Sequence, residues 1–320
     1  MRNAISIRKL SKVYKIPSVL PWRKSRRVEA LSEVEFTCPA EKITCLLGPN
    51  GAGKTTIMKI LAGIILPDQG DALVLDRSIS RADSAFRSRI GLLTTNERSF
   101  YWRLTGRQNL DFFAALHGFK GAEKRKRVSE VLHEVDLESE ADKPFRLYSS
   151  GMKQKLNLSR ALLGNPEVIL FDEPTVHLDP IAREEMHTFI KEKIVQQRRA
   201  TVLICTHDMT EAQKLADHIV LLHQGKVLAE GSMDTLRTRV KPGHRVVLEF
   251  DIFPQDEWLE DKRILSTRVM DNRIELTVVD PTVVPDIVEA AVESGGRVEK
   301  CVYQEESLEE IFSEITGRAE

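Results

Sequence analysis

Gly48-Pro49-Asn50-Gly51-Ala52-Gly53-Lys54-Thr55-Thr56 is a glycine-rich segment between an apolar run, Ile43–Leu47, and a helical pattern over Thr55–Ala62. Small residues in such a loop allow successive backbone N–H groups to surround an anion, and the following helix adds its positive N-terminal end. The Lys54 ammonium can reach the β- and γ-phosphates of a nucleotide, and the Thr55 hydroxyl can bind Mg²⁺. The segment therefore predicts a nucleotide-phosphate site. A glycine-rich turn that happens to precede a lysine is the simpler alternative.

Two acidic residues and a histidine follow other apolar runs. Asp172 and Glu173 end the run that begins at Val168, and His207 follows Val202–Cys205. Side chains at the carboxyl ends of parallel strands project into the crevice where ligands bind. We expect Asp172 to join the Mg²⁺ shell, Glu173 to orient and deprotonate the attacking water, and His207 to contact the γ-phosphate. A positioned general base contributes about 10²–10⁴-fold to a rate. The alternatives are a solvated acidic turn and a surface histidine.

The apolar runs predict an α/β fold. Four of them are too short for a helix and do not alternate with polar residues, which is typical of strands buried on both faces in a parallel sheet; they are Ile43–Leu47, Val168–Phe171, Val202–Cys205 and Ile219–Leu222. Helical patterns separate them, namely Thr55–Ala62, Glu123–Val135, Lys153–Leu163 and Ile181–Gln197. Before this region we expect only short strands, Ala4–Ile7 and Val34–Cys38.

The pattern changes after Gly231. Strands are predicted at Arg245–Phe250, Arg273–Val279 and Val298–Tyr303, with a helix at Val283–Glu293. Ser307 and Glu310 have the spacing of a capping box that opens a last helix. We therefore expect a nucleotide-binding domain over 1–232 and a small accessory or regulatory α+β domain over 233–320.

The order of the motifs is more specific than any one of them. After the glycine-rich loop come Tyr148-Ser-Ser-Gly-Met-Lys-Gln-Lys155, Asp172-Glu-Pro-Thr175, His177-Leu-Asp179 and His207. Over nearly all of 1–231 this resembles the nucleotide-binding subunits of ATP-binding cassette (ABC) transporters. The chain is most similar to the drug and polysaccharide exporter ATPases, whose C-terminal extension resembles 233–320. The resemblance implies a P-loop NTPase domain with an antiparallel β-subdomain and a helical subdomain.

The resemblance also implies roles for single residues. Tyr14 matches the aromatic residue that stacks on adenine, although the residues alone allow a core tyrosine. Ser149 and Gly151 match the signature motif, which binds the γ-phosphate of the ATP held by the other subunit; read alone, Ser149 is a helix N-cap. Asp179 matches the loop that communicates between the two sites.

Two departures from the family pattern stand out. Ser150 replaces a glycine of the signature and Met152 replaces its glutamine, while Ser149 and Gly151 remain. The family's glutamine that contacts Mg²⁺ and couples to the membrane subunit has no counterpart in 90–103. Thr95 lies nearest to that position, so it is our candidate metal-site residue, and Asn96 offers an equivalent amide.

The partners expected from the resemblance are a second copy of the chain and separate integral-membrane permease subunits. ATP and Mg²⁺ would close the homodimer and move the permease, and hydrolysis at Glu173 would release it. Phe100-Tyr101-Trp102 corresponds to the region that faces the permease, with packing under a helix as the alternative. The basic residues Arg23–Arg27 suggest contact with the cytoplasmic membrane surface, with a solvated hairpin tip as the alternative.

Composition narrows the remaining choices. The 320 residues include 47 basic and 48 acidic side chains, so the net charge of −1 gives no general argument for binding to nucleic acid. Four dispersed cysteines argue against a disulfide scaffold or zinc site. With no long apolar run and no signal-peptide core at the start, we expect a cytoplasmic protein, peripheral on the inner face of the cell membrane.

Two other functions are consistent with a phosphate loop. A soluble ABC-type ATPase that acts on ribosomes or DNA would share the motifs, but the chain has one cassette and no sustained heptads between Thr56 and Val168. A P-loop kinase or GTPase conflicts with the segment at Ser149–Gly151 and with His207.

Overall fold

The computed structural model describes residues 2–16, 26–94, 99–176, 178–238, 244–254, 258, 262–304 and 307–317. The chain divides into two compact units, Met1–Met233 and Asp234–Glu320. Within the described ranges, no helix has both the length and the apolar character needed to cross a membrane.

A six-stranded sheet forms the centre of the first unit. Its strands are β3 (Ile43–Leu47), β6 (Ile90–Thr94), β7 (Val168–Asp172), β8 (Thr201–Thr206), β9 (His218–His223) and β10 (Lys226–Gly231), in the order β10-β9-β3-β8-β7-β6. All neighbours are parallel except β10, which pairs antiparallel with β9 at the edge. Every residue of β3 and β8 is buried, which explains why their sequences are apolar except for threonines. The predicted parallel sheet is confirmed.

A second, antiparallel sheet contains the N-terminal strands. It is formed by β1 (Asn3–Ile16), β2 (Arg26–Pro39), β4 (Gln69–Val74) and β5 (Arg77–Ser78), in the order β2-β1-β4-β5. The prediction of short strands near the N-terminus was wrong, because β1 and β2 are each 14 residues long. Polar residues on the exposed side and register shifts, one of them beside Lys9 with a φ of 46°, hide the strand pattern in the sequence.

Helices lie between the strands of the first unit. They are α1 (Lys54–Leu61), α2 (Ser84–Arg87), α3 (Gly106–Leu116), α4 (Gly121–Glu134), α5 (Ser150–Leu162), α6 (Pro180–Thr188) and α7 (Met209–Leu215). A short helix, α8 (Met233–Arg237), begins at the last residue of the first unit and continues in the second. The helix predicted over Ile181–Gln197 is α-helical only as far as Thr188 and continues as a π-helix over Phe189–Gln197. Helices α3, α4 and α5 all come between β6 and β7 and pack against one another.

The second unit has one antiparallel sheet, in the order β12-β13-β11-β14. Its elements are β11 (His244–Ile252), β12 (Ile264–Met270), β13 (Arg273–Val278), α9 (Val284–Glu293), β14 (Arg297–Gln304) and α10 (Leu308–Gly317). Residues of β11, β13 and α9, such as Leu248, Leu276 and Ile287, form its core. The capping box is confirmed, since the Glu310 amide donates to Ser307 Oγ and the Ser307 amide donates to the Glu310 carboxylate.

Candidate functional site

The glycine-rich loop connects β3 to α1, the strand and helix expected around it. Gly51 and Gly53 have φ values of +85° and +110°, which favour glycine. A Cβ built on Gly48 would lie 2.1 Å from the carbonyl oxygen of Leu222 in β9, so the loop backbone packs closely against the sheet. The N-cap residue of α1 is Gly53, which has no side chain to accept hydrogen bonds from the first amides of the helix. The first amides of α1 therefore suit an anionic ligand.

Lys54 is the first residue of α1 and is only 5% exposed. Its ammonium donates hydrogen bonds to the carbonyl oxygens of Gly48 at 2.5 Å and Pro49 at 3.2 Å. A buried ammonium needs acceptors because its desolvation is costly. The charge is thus held inside the loop, close to where phosphate oxygens would lie.

Thr55 and Asp172, the two principal residues expected to bind magnesium, lie close enough for the Thr55 hydroxyl to lower the pKa of the Asp172 carboxyl. The pKa of Asp172 is raised, mainly by burial and next by the neighbouring charge of Glu173, while Thr55 and Lys54 act in the opposite direction. A half-buried carboxylate beside a hydroxyl is an oxygen-rich pair of the kind that Mg²⁺ prefers. These two residues fit the metal.

Glu173 and His207 are also brought together, because the strands that precede them, β7 and β8, are adjacent. His207 Nδ1 lies 3.0 Å from Glu173 Oε1. Glu173 has a φ of 53°, in the left-handed region, and its amide donates to the carbonyl oxygen of Cys205 at 2.9 Å. Such a backbone costs about 1 kcal/mol or more in a non-glycine residue, so the surrounding sheet holds it in place. The proposed base and the histidine form one hydrogen-bonded pair.

Ser149 and Gly151 lie at the exposed start of α5. Ser149 is the N-cap, and its hydroxyl accepts from the amide of Met152 at 3.2 Å. No atom lies within 4 Å of a Cβ built on Gly151. The N-cap interpretation of Ser149 is confirmed, and the open space at Gly151 leaves the helix start accessible.

Asp179 is the N-cap of α6, where its carboxylate accepts from the amides of Ile181 and Ala182, both at 3.0 Å. This local role was not predicted from the sequence. Because Pro180 follows directly, Asp179 and Pro180 together give a standard helix start.

Tyr14 lies in β1 opposite Val28 and is half-buried, so it is not a core residue. The Lys12 ammonium lies 6.0 Å from the centre of its ring and forms an ion pair with Asp68 at 2.9 Å. The ring thus remains partly available on the antiparallel sheet, where stacking on a base is sterically possible.

Thr95 and Asn96 lie outside the described residues, as does most of the basic run Arg23–Arg27. The last residue of β6, Thr94, is described. Its carbonyl oxygen accepts from Asn157 Nδ2 at 2.6 Å, and the Pro174 oxygen accepts from Gln154 Nε2 at 2.5 Å. These hydrogen bonds join helix α5 to the end of β6 and to the segment that follows β7. Sequence reasoning missed both residues, although two amides three positions apart on one helix face were a usable signal.

The aromatic residues near α3 divide into buried and exposed members. Phe100 is only 7% exposed and packs edge-on against Phe113, with 5.6 Å between ring centres. Tyr101, Trp102 and Phe112 are 50%, 60% and 40% exposed. Phe100 therefore packs under a helix, whereas Tyr101, Trp102 and Phe112 are exposed. We refer to these three residues as the aromatic patch.

Comparisons with known proteins agree with these motifs. A family model described as ABC transporter matches residues 31–176, and one described as ATP-binding protein DrrA1-3-like, C-terminal domain, matches residues 231–316. The daunorubicin resistance ATP-binding protein DrrA3 of Streptomyces coeruleorubidus is 32% identical over 300 residues, covering 90% of this chain and 92% of that protein. The bacitracin transport ATP-binding protein BcrA of Bacillus licheniformis is 34% identical over 275 residues, covering 85% and 87%.

A solved structure has the same fold as the first unit. It is the dimeric, post-hydrolysis state of the ATP-binding cassette MJ0796 bound to ADP and Pi, with a TM-score of 0.61 and 25% identity. The match covers 72% of this chain and 98% of that one.

Proposed function

This chain belongs to the ABC transporter family, and we propose that two copies of it close on two ATP molecules and thereby drive a separate membrane permease. It is the ATP-binding and ATP-hydrolysing subunit of a transporter, with the expected ABC ATPase fold. The relatives described above are a drug-resistance and an antibiotic-transport protein, which favours export and argues for a transporter over the ribosome or DNA alternative.

In the proposed division of the chain, 1–232 binds nucleotide and 233–320 is an accessory domain. The boundary is supported by the second compact unit, which begins at Asp234, and by the separate family match from residue 231. Both copies would lie at the cytoplasmic face of the membrane, where a permease exposes its cytoplasmic loops.

Lys54 and the amides of 48–56 would hold the β- and γ-phosphates. Thr55 and Asp172 are the residues that would hold Mg²⁺, which supplies positive charge to those phosphates. Glu173 would orient a water molecule and take its proton as the water attacks the terminal phosphorus. His207 would hold the Glu173 carboxylate through Nδ1 and contact the γ-phosphate.

Dimer closure would complete each site. Ser149 and Gly151 of one copy lie at an exposed helix start, and Gly151 has free space where a phosphate of the nucleotide bound to the other copy would lie. Asp179 would transmit contact with the partner copy to α6, the helix that it caps. Tyr14 would stack on the adenine ring.

The aromatic patch is the proposed permease contact. Tyr101, Trp102 and Phe112 expose apolar rings together on one helical region, and exposed aromatic residues often anchor protein interfaces. Replacing Tyr101 and Phe112 by alanine is expected to reduce stimulation of the ATPase by the co-expressed permease, with basal turnover retained. Val269→Ala is the matched control, because it removes an equally exposed apolar side chain from β12.

The hydrogen bond between Glu173 and His207, beside the pair formed by Thr55 and Asp172, carries the proposal. Its first test is nucleotide binding by calorimetry. Lys54→Ala removes a charged donor contributing about 1.5–3 kcal/mol, so the Kd for MgATP is expected to rise about 10- to 150-fold. Lys59→Ala, an exposed position one turn further along α1, is the control and is expected to bind normally. Unchanged affinity of Lys54→Ala would contradict the proposed site.

A further inference from the structure

A buried carboxylate lies behind the Glu173–His207 pair. Glu211, in α7, is 3% exposed, and its Oε1 accepts from Thr175 Oγ1 at 2.7 Å. The same oxygen lies 3.1 Å from Nε2 of His187, a residue of α6 that is also 3% exposed. The Glu211 amide donates to Asp208 Oδ1 at 3.0 Å. A carboxylate can only accept, so the proton of His187 lies on Nε2.

This carboxylate is ionised. Burial raises the pKa of Glu211, but the hydrogen bonds from His187, Thr206 and Thr175 outweigh burial, and the pKa is lowered. A buried charge of this kind is expensive to leave unpaired, and each lost donor weakens the whole set. The group is therefore held in one defined position.

Glu211 and its donor Thr175 lie near the proposed catalytic residues in the chain. Thr175 is two positions after Glu173, and Thr206 immediately precedes His207. The Thr206 hydroxyl also accepts from the amide of Asp208 at 3.0 Å, which fixes the backbone on the other side of His207. Glu211 is four positions after His207 in the chain, so its hydrogen bond with Thr175 links the segments of His207 and Glu173, whose side chains meet at 3.0 Å.

Holding α6 against α7 does not require this buried charge. On the same two helices, Arg183 pairs with Asp208 at 3.3 Å and Glu184 pairs with Lys214 at 2.5 Å, both at partly exposed positions. Buried ionic groups can often be replaced by apolar residues without loss of stability. A role in stability alone therefore does not explain an ionised side chain at this position.

We propose that Glu211 is a positioning residue that holds Glu173 and His207 in register for hydrolysis, an inference that rests on the proposed function. Acting through Thr175 on one side and through Asp208, next to His207, on the other, it would limit where the base and the histidine lie relative to the attacked phosphate. A displacement of about 1 Å is enough to lower a rate about 100-fold.

The test compares Glu211→Gln with the unmodified full-length chain. We expect kcat for MgATP hydrolysis to fall about 10- to 100-fold, while KM and the Kd for MgATP stay within about twofold because the phosphate loop is untouched. Lys214→Gln is the matched control, since it breaks the ion pair with Glu184 between the same two helices, and its kcat is expected to be unchanged.

Two further variants keep the inference testable if Glu211→Gln does not fold. Thr175→Val removes one donor, and Thr175→Ser keeps it, so the first is expected to lower kcat and the second to restore most of it. Where Glu211→Gln does fold, adding it to His207→Ala is expected to lower kcat by less than about threefold more, because residues acting as one unit are not additive.

Three outcomes would overturn the inference: a folded Glu211→Gln protein with normal kcat, a parallel loss of ATP affinity, or full additivity with His207→Ala. Glu173→Gln separates this inference from the proposed function. If Glu173→Gln hydrolyses ATP normally, the assignment of the base is wrong. If it is inactive while Glu211→Gln is fully active, only the positioning role fails.

Discussion

Replacing Gly151 by alanine separates the stability of the single chain from the activity of the dimer. Gly151 is the second residue of α5, and a Cβ there would meet no atom within 4 Å. Alanine is favoured over glycine in helices by about 0.5–1 kcal/mol. For a unit the size of Met1–Met233, the Tm is expected to rise by about 1–4 °C.

The same methyl group is expected to lower the ATPase rate. In the proposed dimer it would stand between the first amides of α5 and the γ-phosphate held by the other copy. A misplacement of about 1 Å there costs about 100-fold, so a loss of at least about tenfold in turnover is expected. ATP binding by the single chain should be unaffected, since Lys54 lies in a separate loop.

The assay combines thermal unfolding, calorimetric ATP binding and phosphate release on one preparation. A Gly151→Ala protein with raised Tm and full turnover would refute the contact between α5 and the partner's nucleotide. A lowered Tm would refute the free space at the start of the helix.

Three other variants test different parts of the account. Gly48→Ala places a Cβ 2.1 Å from the Leu222 carbonyl oxygen, so thermal unfolding and calorimetry should show a lower Tm and at least about tenfold weaker ATP binding; normal affinity would contradict this packing. Tyr14→Leu should weaken ATP binding by about 1–3 kcal/mol if the ring stacks on adenine, and an unchanged Kd would exclude that role. Asn109 is buried and exchanges hydrogen bonds with the backbone of Tyr101, so Asn109→Ala should lower the free energy of unfolding by about 1–3 kcal/mol in denaturant titration. Asn109→Ala should also weaken stimulation of the ATPase by the permease. Normal stimulation would show that this loop is not part of the permease interface.

The sequence allowed prediction of the parallel sheet and the phosphate loop because both depend on local patterns. Runs such as Val202–Cys205 are apolar throughout when a strand is buried on both faces, and each lies within an observed strand. The loop at 48–56 needs glycine where φ is positive, so its residue types indicate its conformation. We also expected Glu173 and His207 at the carboxyl ends of their strands, but their hydrogen bond was not predicted, because it depends on β7 and β8 being neighbours in the sheet.

Other features depend on contacts between distant segments. In strand β1, apolar and polar residues alternate and the pairing register shifts, so its length could not be predicted from apolar runs. The exposed edge strand β12 was missed because polar residues make up its centre. The two side-chain donors of Glu211, His187 and Thr175, lie 24 and 36 positions away from it, and no local pattern predicts which donors a buried carboxylate will find.

The central claim is that Glu173 activates water against the terminal phosphate of an ATP molecule held by the loop around Lys54. Its most direct test is single-turnover phosphate release from MgATP by Glu173→Gln, with the Kd measured in parallel. We expect the rate to fall about 10²–10⁴-fold with ATP binding retained. Undiminished release by Glu173→Gln, or no ATP binding by the unmodified protein at millimolar nucleotide with magnesium, would contradict it.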